Sequence, residues 1–202
     1  MESAKRPSPR GKPDFPPSSD WDERLEKAGD KLPLEPSRLA YHNDWFSVFD
    51  RGGFYTIEEP VNNVIVLPVV HSSSILFVRP FRPVLADAPL ELPAGKGAPN
   101  ESAILTAQRE LREETGIWIE DTNRFKPRPP ISISPNRMPN LEWVFQVDIS
   151  ESEFQAREKH DEEIHSLELL ELESVKQSIK SGEIYISAVV AAVASYIFSL
   201  SH

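Results

Sequence analysis

A run of 23 residues, from Gly95 to Ile117, constrains this chain more than any other feature. It reads GKGAPNESAILTAQRELREETGI and fits the pattern G-x5-E-x7-R-E-U-x-E-E-x-G-U, where U is a bulky apolar residue. All nine fixed positions are satisfied, so a chance match within 202 residues is very improbable. The run predicts a loop followed by a helix over 101–115, which starts after a Pro-Asn pair and ends at Gly116.

The predicted helix carries a row of glutamates. At about 100° per residue, Glu110, Glu113 and Glu114 fall on one side of the helix, beside an apolar stripe that we expect to pack on a sheet. Three like charges this close repel one another and would destabilise the helix by themselves. A hard divalent cation removes that repulsion, because Mg²⁺ and Mn²⁺ prefer oxygen ligands. The row therefore predicts a metal site suited to cleavage of a phosphate linkage.

Composition narrows the classes of function. The net charge is −10 and the isoelectric point is about 5.0, so there is no basic field to attract nucleic acid. Apolar residues make up 39% of the chain, which is enough for one domain with a hydrophobic core. The chain has no cysteine, which excludes disulfides, thiol catalysis and a cysteine-ligated zinc site.

The two ends of the chain differ from its centre. Residues 1–36 hold seven of the 19 prolines, so we expect a largely flexible segment, with one short helix over 20–31. The N-terminus lacks the apolar stretch of a signal peptide, which favours a cytoplasmic location. The apolar segment 184–200 is shorter than the ~20 residues of a membrane span, so we predict a buried terminal helix and no membrane partner.

Between these ends the pattern is that of an α/β domain. Two aromatic runs, 45–49 and 54–57, flank Asp50-Arg51-Gly52-Gly53, which predicts a β-hairpin. The continuous apolar run 64–70 is typical of a strand buried on both faces. Further strands are predicted over 74–78, 141–149 and 164–170, and further helices over 173–181 and 187–200.

The 23-residue run resembles the signature of the Nudix hydrolases, which split diphosphate linkages in nucleoside diphosphates joined to another group. The resemblance implies an α/β/α Nudix sandwich with a mixed sheet over residues 61–202, and Mg²⁺ or Mn²⁺ as cofactor. In that family the three glutamates bind metal. Arg109 would orient them, and Glu101 would act as a brace or an outer-sphere group.

The residues before the helix are similar to one branch of that family, the ADP-ribose pyrophosphatases and nucleotide-sugar hydrolases. Residues 91–95 match the branch's E-L-P-A-G, and the VRPFRP run upstream is similar to its V-x-Q-Y-R-P, with Pro and Phe in place of Gln and Tyr. In that branch the backbone carbonyl at Ala94 binds metal, Arg82 contacts substrate and Glu91 helps to shape the site.

Two loops beyond the helix hold the remaining candidates. Ser134-Pro135-Asn136 stands where the branch has S-P-G, and the adjacent Arg137 is a candidate for contact with a phosphate or a sugar hydroxyl. An acidic loop, 158–164, leads into the next predicted strand, and its position relative to that strand matches Glu162 to the family's metal-binding loop glutamate. The general base stays open between Glu162, Glu163, His160 and Glu113.

The resemblance also implies a homodimer. Residues 37–60 would form a small N-terminal antiparallel sheet for dimerisation, whose aromatic residues contribute to the partner's base pocket. The expected reaction is Mg²⁺-dependent hydrolysis of ADP-ribose or a nucleoside diphosphate sugar, giving a nucleoside monophosphate and a sugar phosphate. Two alternatives remain: a hydrolase of a dinucleoside polyphosphate or NADH, and a non-catalytic module that binds ADP-ribose.

Overall fold

The computed structural model describes residues 37–200, which contain nine strands in two sheets and four α-helices. The strands are β1 (Ser37–His42), β2 (Ser47–Arg51), β3 (Phe54–Glu58), β4 (Asn63–Val70), β5 (Ser74–Pro80), β6 (Ala94–Lys96), β7 (Lys126–Ile131), β8 (Glu142–Ile149) and β9 (Ile164–Glu171). The helices are α1 (Ala103–Thr115), α2 (Glu151–Gln155), α3 (Leu172–Ser181) and α4 (Ser187–Ser199). The segment and short helix predicted within 1–36 lie outside the described residues.

The small N-terminal sheet is antiparallel, with strand order β1-β2-β3. Gly52 and Gly53 have φ angles of 62° and 93°, so glycine provides the left-handed backbone of the two-residue turn. The predicted hairpin is therefore confirmed. The prediction that Trp45 and Phe46 begin its first strand is wrong, because the Asn43 side chain accepts hydrogen bonds from both backbone amides and holds them in a turn.

The large sheet is mixed, with order β7-β8-β4-β5-β9, and β6 also pairs with β4. Only β4 and β8 among its strands run parallel. Side chains of β4 alternate between two cores: Val64 and Val66 pack with α1, whereas Ile65 and Leu67 pack with α3 and α4. The predicted α/β/α sandwich, with a strand buried on both faces, is confirmed.

One edge of β4 pairs with β5 at one end and with β6 at the other. The gap between these two pairings positions the segment before α1. At one end Val69 and Val70 pair with β5, while at the other end 63–65 pair with β6. Between them Val66 donates its backbone amide to the carbonyl of Pro93 at 2.7 Å. The run 91–95 is thereby inserted between β4 and β5 and brought beneath α1.

Helix α1 starts at Ala103, so the predicted start at residue 101 is wrong by two residues. Asn100 has φ 66° and the amide of Glu101 donates to the carbonyl of Ala98, so this segment forms a turn. Ser102 is the N-cap residue. The other end is as predicted, because Gly116 adopts φ 74° and donates its amide to the carbonyl of Arg112.

The remaining elements are partly as predicted. Helix α4 buries Val189, Val193 and Tyr196, which confirms the buried terminal helix. Within residues 37–200, no helix is both long enough and apolar enough to cross a membrane. Strand β7 was not predicted, because it contains three prolines, and its place at the edge of the sheet explains why they are tolerated.

Candidate active site

The side chain of Glu110 lies directly over the backbone of Gly95. A Cβ atom at that glycine would stand 2.0 Å from a carboxylate oxygen of Glu110, so only glycine permits this approach. Glu110 is itself 8% exposed, and burial raises the pKa of its carboxyl group. The first glycine of the 23-residue run therefore has a packing role that brings one carboxylate against β6.

Glu114 is the second carboxylate of the row that is withdrawn from solvent, and it is partly buried. Its Oε2 accepts a hydrogen bond from the backbone amide of Ala94 at 3.0 Å. Burial raises the pKa of Glu114 to about 8, and the negative charges of Glu110 and Glu91 act in the same direction. The positive charge of Arg82 and the amide hydrogen bond oppose that rise without cancelling it. Burial and repulsion thus disfavour ionised Glu114.

On the opposite side of the row, the positive charge of Arg109 pairs with several carboxylates. Its guanidinium donates to both carboxylate oxygens of Glu101 at 3.2 Å, to Glu113 at 2.7 Å and to the carbonyl of Lys96 at 2.9 Å. It also lies 2.8 Å from Oε1 of Glu110. The hydrogen bond from Arg109 lowers the pKa of Glu101 to about 2. These contacts are those of a brace that holds the segment 96–101 against α1.

Arg82 and Glu91 form a bidentate ion pair near Glu114. Nε and Nη2 of Arg82 donate to the two oxygens of Glu91 at 2.9 and 2.7 Å. Glu91 is buried, whereas the Arg82 side chain is 44% exposed, so one face of the guanidinium stays open to solvent. The charges of Glu114 and Glu163 also raise the pKa of Arg82, after the dominant hydrogen bond from Glu91.

The acidic loop is fixed to the C-terminal end of α1. Glu158 donates its amide to the carbonyl of Gly116 at 2.8 Å, and Asp161 donates to the carbonyl of Glu113 at 2.8 Å. A Cβ at Gly116 would lie 2.0 Å from the carbonyl oxygen of Glu158, so the loop can approach only a glycine here. These backbone contacts therefore hold the loop directly next to the glutamate row.

Within that loop the two neighbouring acids differ in placement. The Glu162 side chain is 90% exposed and pairs with Lys159 at 3.1 Å, so it lies outside the carboxylate group around Arg82. The charge of Glu163 reaches Arg82. His160 directs Nδ1 to the carbonyl of Asp161 at 2.9 Å. The structure thus brings Ala94, Glu110, Glu114, Glu91 and Arg82 together, and leaves Glu162 and Arg137 facing solvent.

A further group of polar residues was missed in the sequence. Asn63 donates through Nδ2 to Glu59 and, at 3.4 Å, to Glu142, while Lys96 pairs with Glu59 at 2.8 Å. Burial raises the pKa of Glu142 to about 7. No spacing rule points to this group, because its members come from β4, β6, β8 and the end of β3. Tertiary pairing alone assembles it.

The chain matches a known domain family. The NUDIX domain family matches residues 60–188, which is most of the chain. This protein belongs to the Nudix family. The family predicted from the 23-residue run is therefore confirmed, and the run is the Nudix box, whose helix is α1.

Two curated relatives and one solved structure are similar to this Nudix protein. "ADP-ribose pyrophosphatase" of Bacillus subtilis (strain 168) is 30% identical over 122 residues, which cover 60% of this chain and 64% of that protein. "Methanol dehydrogenase activator" of Bacillus methanolicus is 31% identical over 131 residues, covering 64% of this chain and 69% of its own length. A crystal structure titled "ADP compounds hydrolase" aligns with a TM-score of 0.62 at 16% identity, covering 82% of this chain and 92% of that one.

These matches agree with the branch that E-L-P-A-G indicated, and the solved structure supports the fold. The alignment spans just under two thirds of the length of the Bacillus subtilis relative.

The residues present fit a divalent cation by their chemistry. All of the candidate ligands are oxygen donors, and Glu110 and Glu114 carry pKa values raised by burial, which a bound cation would lower. Among residues 37–200, no three acidic or histidine side chains already converge on one point. An ion between Glu110 and Glu114 would therefore draw their carboxylates into a common shell.

Proposed function

We propose that this Nudix protein hydrolyses the diphosphate linkage of ADP-ribose or a nucleoside diphosphate sugar in a Mg²⁺-dependent reaction. The observation that carries the proposal is the pair Glu110 and Glu114, whose carboxyl groups lie at the backbone of Gly95 and Ala94 and have pKa values raised by burial. In the reaction the oxygen of water bonds to one phosphorus and the bridging P–O bond breaks. The products are a nucleoside monophosphate and a sugar phosphate, and the protons of the water pass to the new phosphate groups or, above their second pKa of about 6, to solvent.

Glu110, Glu113, Glu114, the Ala94 carbonyl and Glu162 would hold the Mg²⁺ ions, with Mn²⁺ as a substitute. When bound, such ions neutralise the phosphate oxygens and lower the pKa of a bound water. The placement of Glu110 over Gly95 supports this assignment, because it brings a carboxylate within reach of the backbone of β6. Arg109 would keep the row in place through Glu101 and Glu113.

The remaining residues of the site would bind and orient the substrate. The open face of the Arg82 guanidinium, fixed by Glu91, suits a substrate phosphate. Arg137 would contact a second phosphate or a sugar hydroxyl from the loop after β7. The acid that orients or deprotonates the water would come from the loop fixed to α1: family resemblance favours Glu162, whereas proximity to Arg82 favours Glu163.

We also propose that two copies associate through the N-terminal sheet. One face of that sheet exposes large apolar side chains, with Tyr41 on β1 at 54% and Tyr55 and Ile57 on β3 at 48% and 37%. In the loop after β5, Val84 is also exposed, at 99%. Exposed apolar groups on a structured surface are typical of an interaction site. A homodimer would cover them and place the partner's aromatic side chains near a bound base.

A second candidate is a regulatory module that binds a nucleotide without cleaving it. The specific reason is the relative named "Methanol dehydrogenase activator", whose printed name describes the activation of another enzyme. The complete glutamate row weighs against this candidate, because binding alone has no chemical need for buried carboxylates of raised pKa. The two candidates differ in whether product forms.

A substrate panel tests the proposal. Purified protein is incubated with Mg²⁺ and, in parallel, with ADP-ribose, ADP-glucose, GDP-mannose, UDP-glucose, NADH and the dinucleoside polyphosphate Ap₄A, and products are separated by anion-exchange chromatography. We expect a monophosphate and a sugar phosphate from ADP-ribose or from one of the sugars. Turnover of Ap₄A or NADH alone would reassign the substrate class. Binding of ADP-ribose without turnover of any compound would favour the regulatory module.

A further inference from the structure

The loop that carries Arg137 covers the edge of the N-terminal sheet that is formed by β3. Strand β3 pairs with β2 on one side, and on its other side the amide of Ile57 donates to the carbonyl of Arg137 at 2.7 Å. Two residues after Ile57, the amide of Glu59 donates to the Asn140 side chain at 3.4 Å, and the same side chain donates to the carbonyl of Glu59 at 3.3 Å. The Asn140 side chain thus occupies the place of a paired strand residue, and it satisfies an otherwise open sheet edge.

These contacts with β3 and Glu59 hold a tight turn over residues 134–138. The amides of Arg137 and Met138 both donate to the carbonyl of Ser134, at 2.9 and 2.7 Å, which closes the turn. The side chain of Arg137 is exposed at the end of it. Asn140 anchors the chain just beyond this turn, so the direction of the Arg137 side chain depends on the docking of the loop against β3.

The anchoring residue Glu59 is also joined to the Nudix box. Its Oε1 lies 2.8 Å from Nζ of Lys96, and the Glu59 side chain is 11% exposed. The carbonyl of Lys96 accepts from Nη2 of Arg109 at 2.9 Å. A continuous set of contacts therefore runs from the brace on α1, through β6 and Glu59, to Asn140.

We propose that Asn140 is a positioning residue, which docks the Arg137 turn on the N-terminal sheet and so sets substrate affinity. This inference rests on the proposed function, in which Arg137 contacts the substrate. Asn140 has no contact with Glu110, Glu114 or Arg82 among its hydrogen bonds, so it acts on binding and not on the chemical step. Loss of uniform binding raises KM and leaves kcat in place.

The test is Asn140→Ala, with Asn123→Ala as the matched control. Asn123 is an exposed amide whose hydrogen bonds are to Asp121 and involve neither Glu59 nor the Arg137 turn, so its removal makes the same chemical change without loss of that docking. For Asn140→Ala we expect KM for the hydrolysed substrate to rise about tenfold, from the loss of two hydrogen bonds, with kcat within about twofold of wild type. The control should change neither constant.

A second readout does not depend on turnover. Trypsin cleaves after arginine, and docking protects the bond between Arg137 and Met138. We expect cleavage at that bond, followed by mass spectrometry, to accelerate at least about fivefold in Asn140→Ala and to stay at the wild-type rate in Asn123→Ala.

Unchanged cleavage would overturn the docking role, and an unchanged KM or a fall in kcat would overturn the positioning role. Failure of the proposed function would instead appear as absence of turnover in the wild type. In that case the binding of ADP-ribose, measured by calorimetry in both proteins, replaces KM. Equal dissociation constants would then overturn the inference.

Discussion

Arg109 and Glu114 stand five residues apart in the sequence of the same helix, and their surroundings satisfy them in opposite ways. Arg109 contacts three carboxylates and a backbone carbonyl, and its hydrogen bond lowers the pKa of Glu101 to about 2. Burial raises the pKa of Glu114 to about 8, and its hydrogen bond comes from the Ala94 amide. One side of α1 is therefore a self-sufficient ionic brace, whereas the other holds a carboxyl group whose ionised form is disfavoured by burial and would be favoured by an added cation.

Of the changes that test this contrast between Arg109 and Glu114, we expect Glu114→Gln to have the largest effect. This change keeps the size of the side chain and removes the charge, so we expect kcat to fall by on the order of 10³-fold, because metal binding contributes several kcal/mol to such reactions. The fold should survive, since a buried neutral amide costs less than a buried charge. Steady-state kinetics with circular dichroism checks both parts. Near wild-type turnover would rule out Glu114 as a metal ligand.

Gly95→Ala tests the packing that brings Glu110 to the site. The new methyl group would overlap the Glu110 carboxylate, so that side chain must move. We expect kcat to fall by about 10²-fold, as for a small misplacement of a catalytic group, while the melting temperature changes by only a few degrees. Gly53→Ala serves as a control for the backbone strain of losing a glycine away from the site, because Gly53 has φ 93° but nothing lies within 4 Å of its Cβ position. Equal effects of the two changes on turnover would contradict this role for Gly95.

Glu162→Gln and Glu163→Gln sharpen the assignment of the loop acid. The resemblance to the family predicts that Glu162→Gln lowers kcat by about 10²-fold, as expected for a general acid–base group. Glu163→Gln should act mainly on KM, by less than about fivefold, because its charge reaches Arg82. Both variants are compared in the same Mg²⁺ assay. The reverse order of effects on kcat would transfer the role to Glu163.

The smallest effects concern stability without metal, and they have opposite signs on the two sides of α1. Glu101 has a lowered pKa of about 2 against 4.5 unfolded, so its stabilisation is present above about pH 4.5 and is lost as the pH falls towards 2. Glu114 has a raised pKa of about 8, so its contribution is complete below pH 4.5 and is lost as the pH rises towards 8.

Thermal melts in EDTA across pH 3 to 9 measure these contributions. Relative to wild type, Glu114→Gln should raise the melting temperature at pH 8 by a few degrees and leave it little changed at pH 4.5. Glu101→Gln should lower it at pH 7 and have less effect at pH 3. Parallel curves for all three proteins would show that the two sides of the helix do not differ in charge balance.

Much of the site was predictable because the Nudix box is local. Helical spacing alone places Glu110, Glu113 and Glu114 on one side of α1, and Gly116 at its C-terminal end follows from backbone geometry. The alternation of cores along β4 was also readable as an apolar run. These features depend on neighbours within one or two turns of the chain.

The rest depends on contacts that spacing does not encode. Asn140 meets Glu59 across 81 residues, and no local signal distinguishes it from any other loop asparagine. The helix start was misplaced because the Glu101 side chain bonds to Arg109, which draws that residue into the brace. Glu162 and Glu163 are adjacent and chemically alike, so only the course of the loop separates them.

The most direct test of the central proposal is product formation from ADP-ribose by the wild-type protein, with Mg²⁺ and after chelation. We predict equal amounts of AMP and ribose 5-phosphate with Mg²⁺, almost none in EDTA, and recovery when Mg²⁺ is restored. Cleavage that continues unchanged in EDTA would contradict the role given to the buried carboxylates of α1.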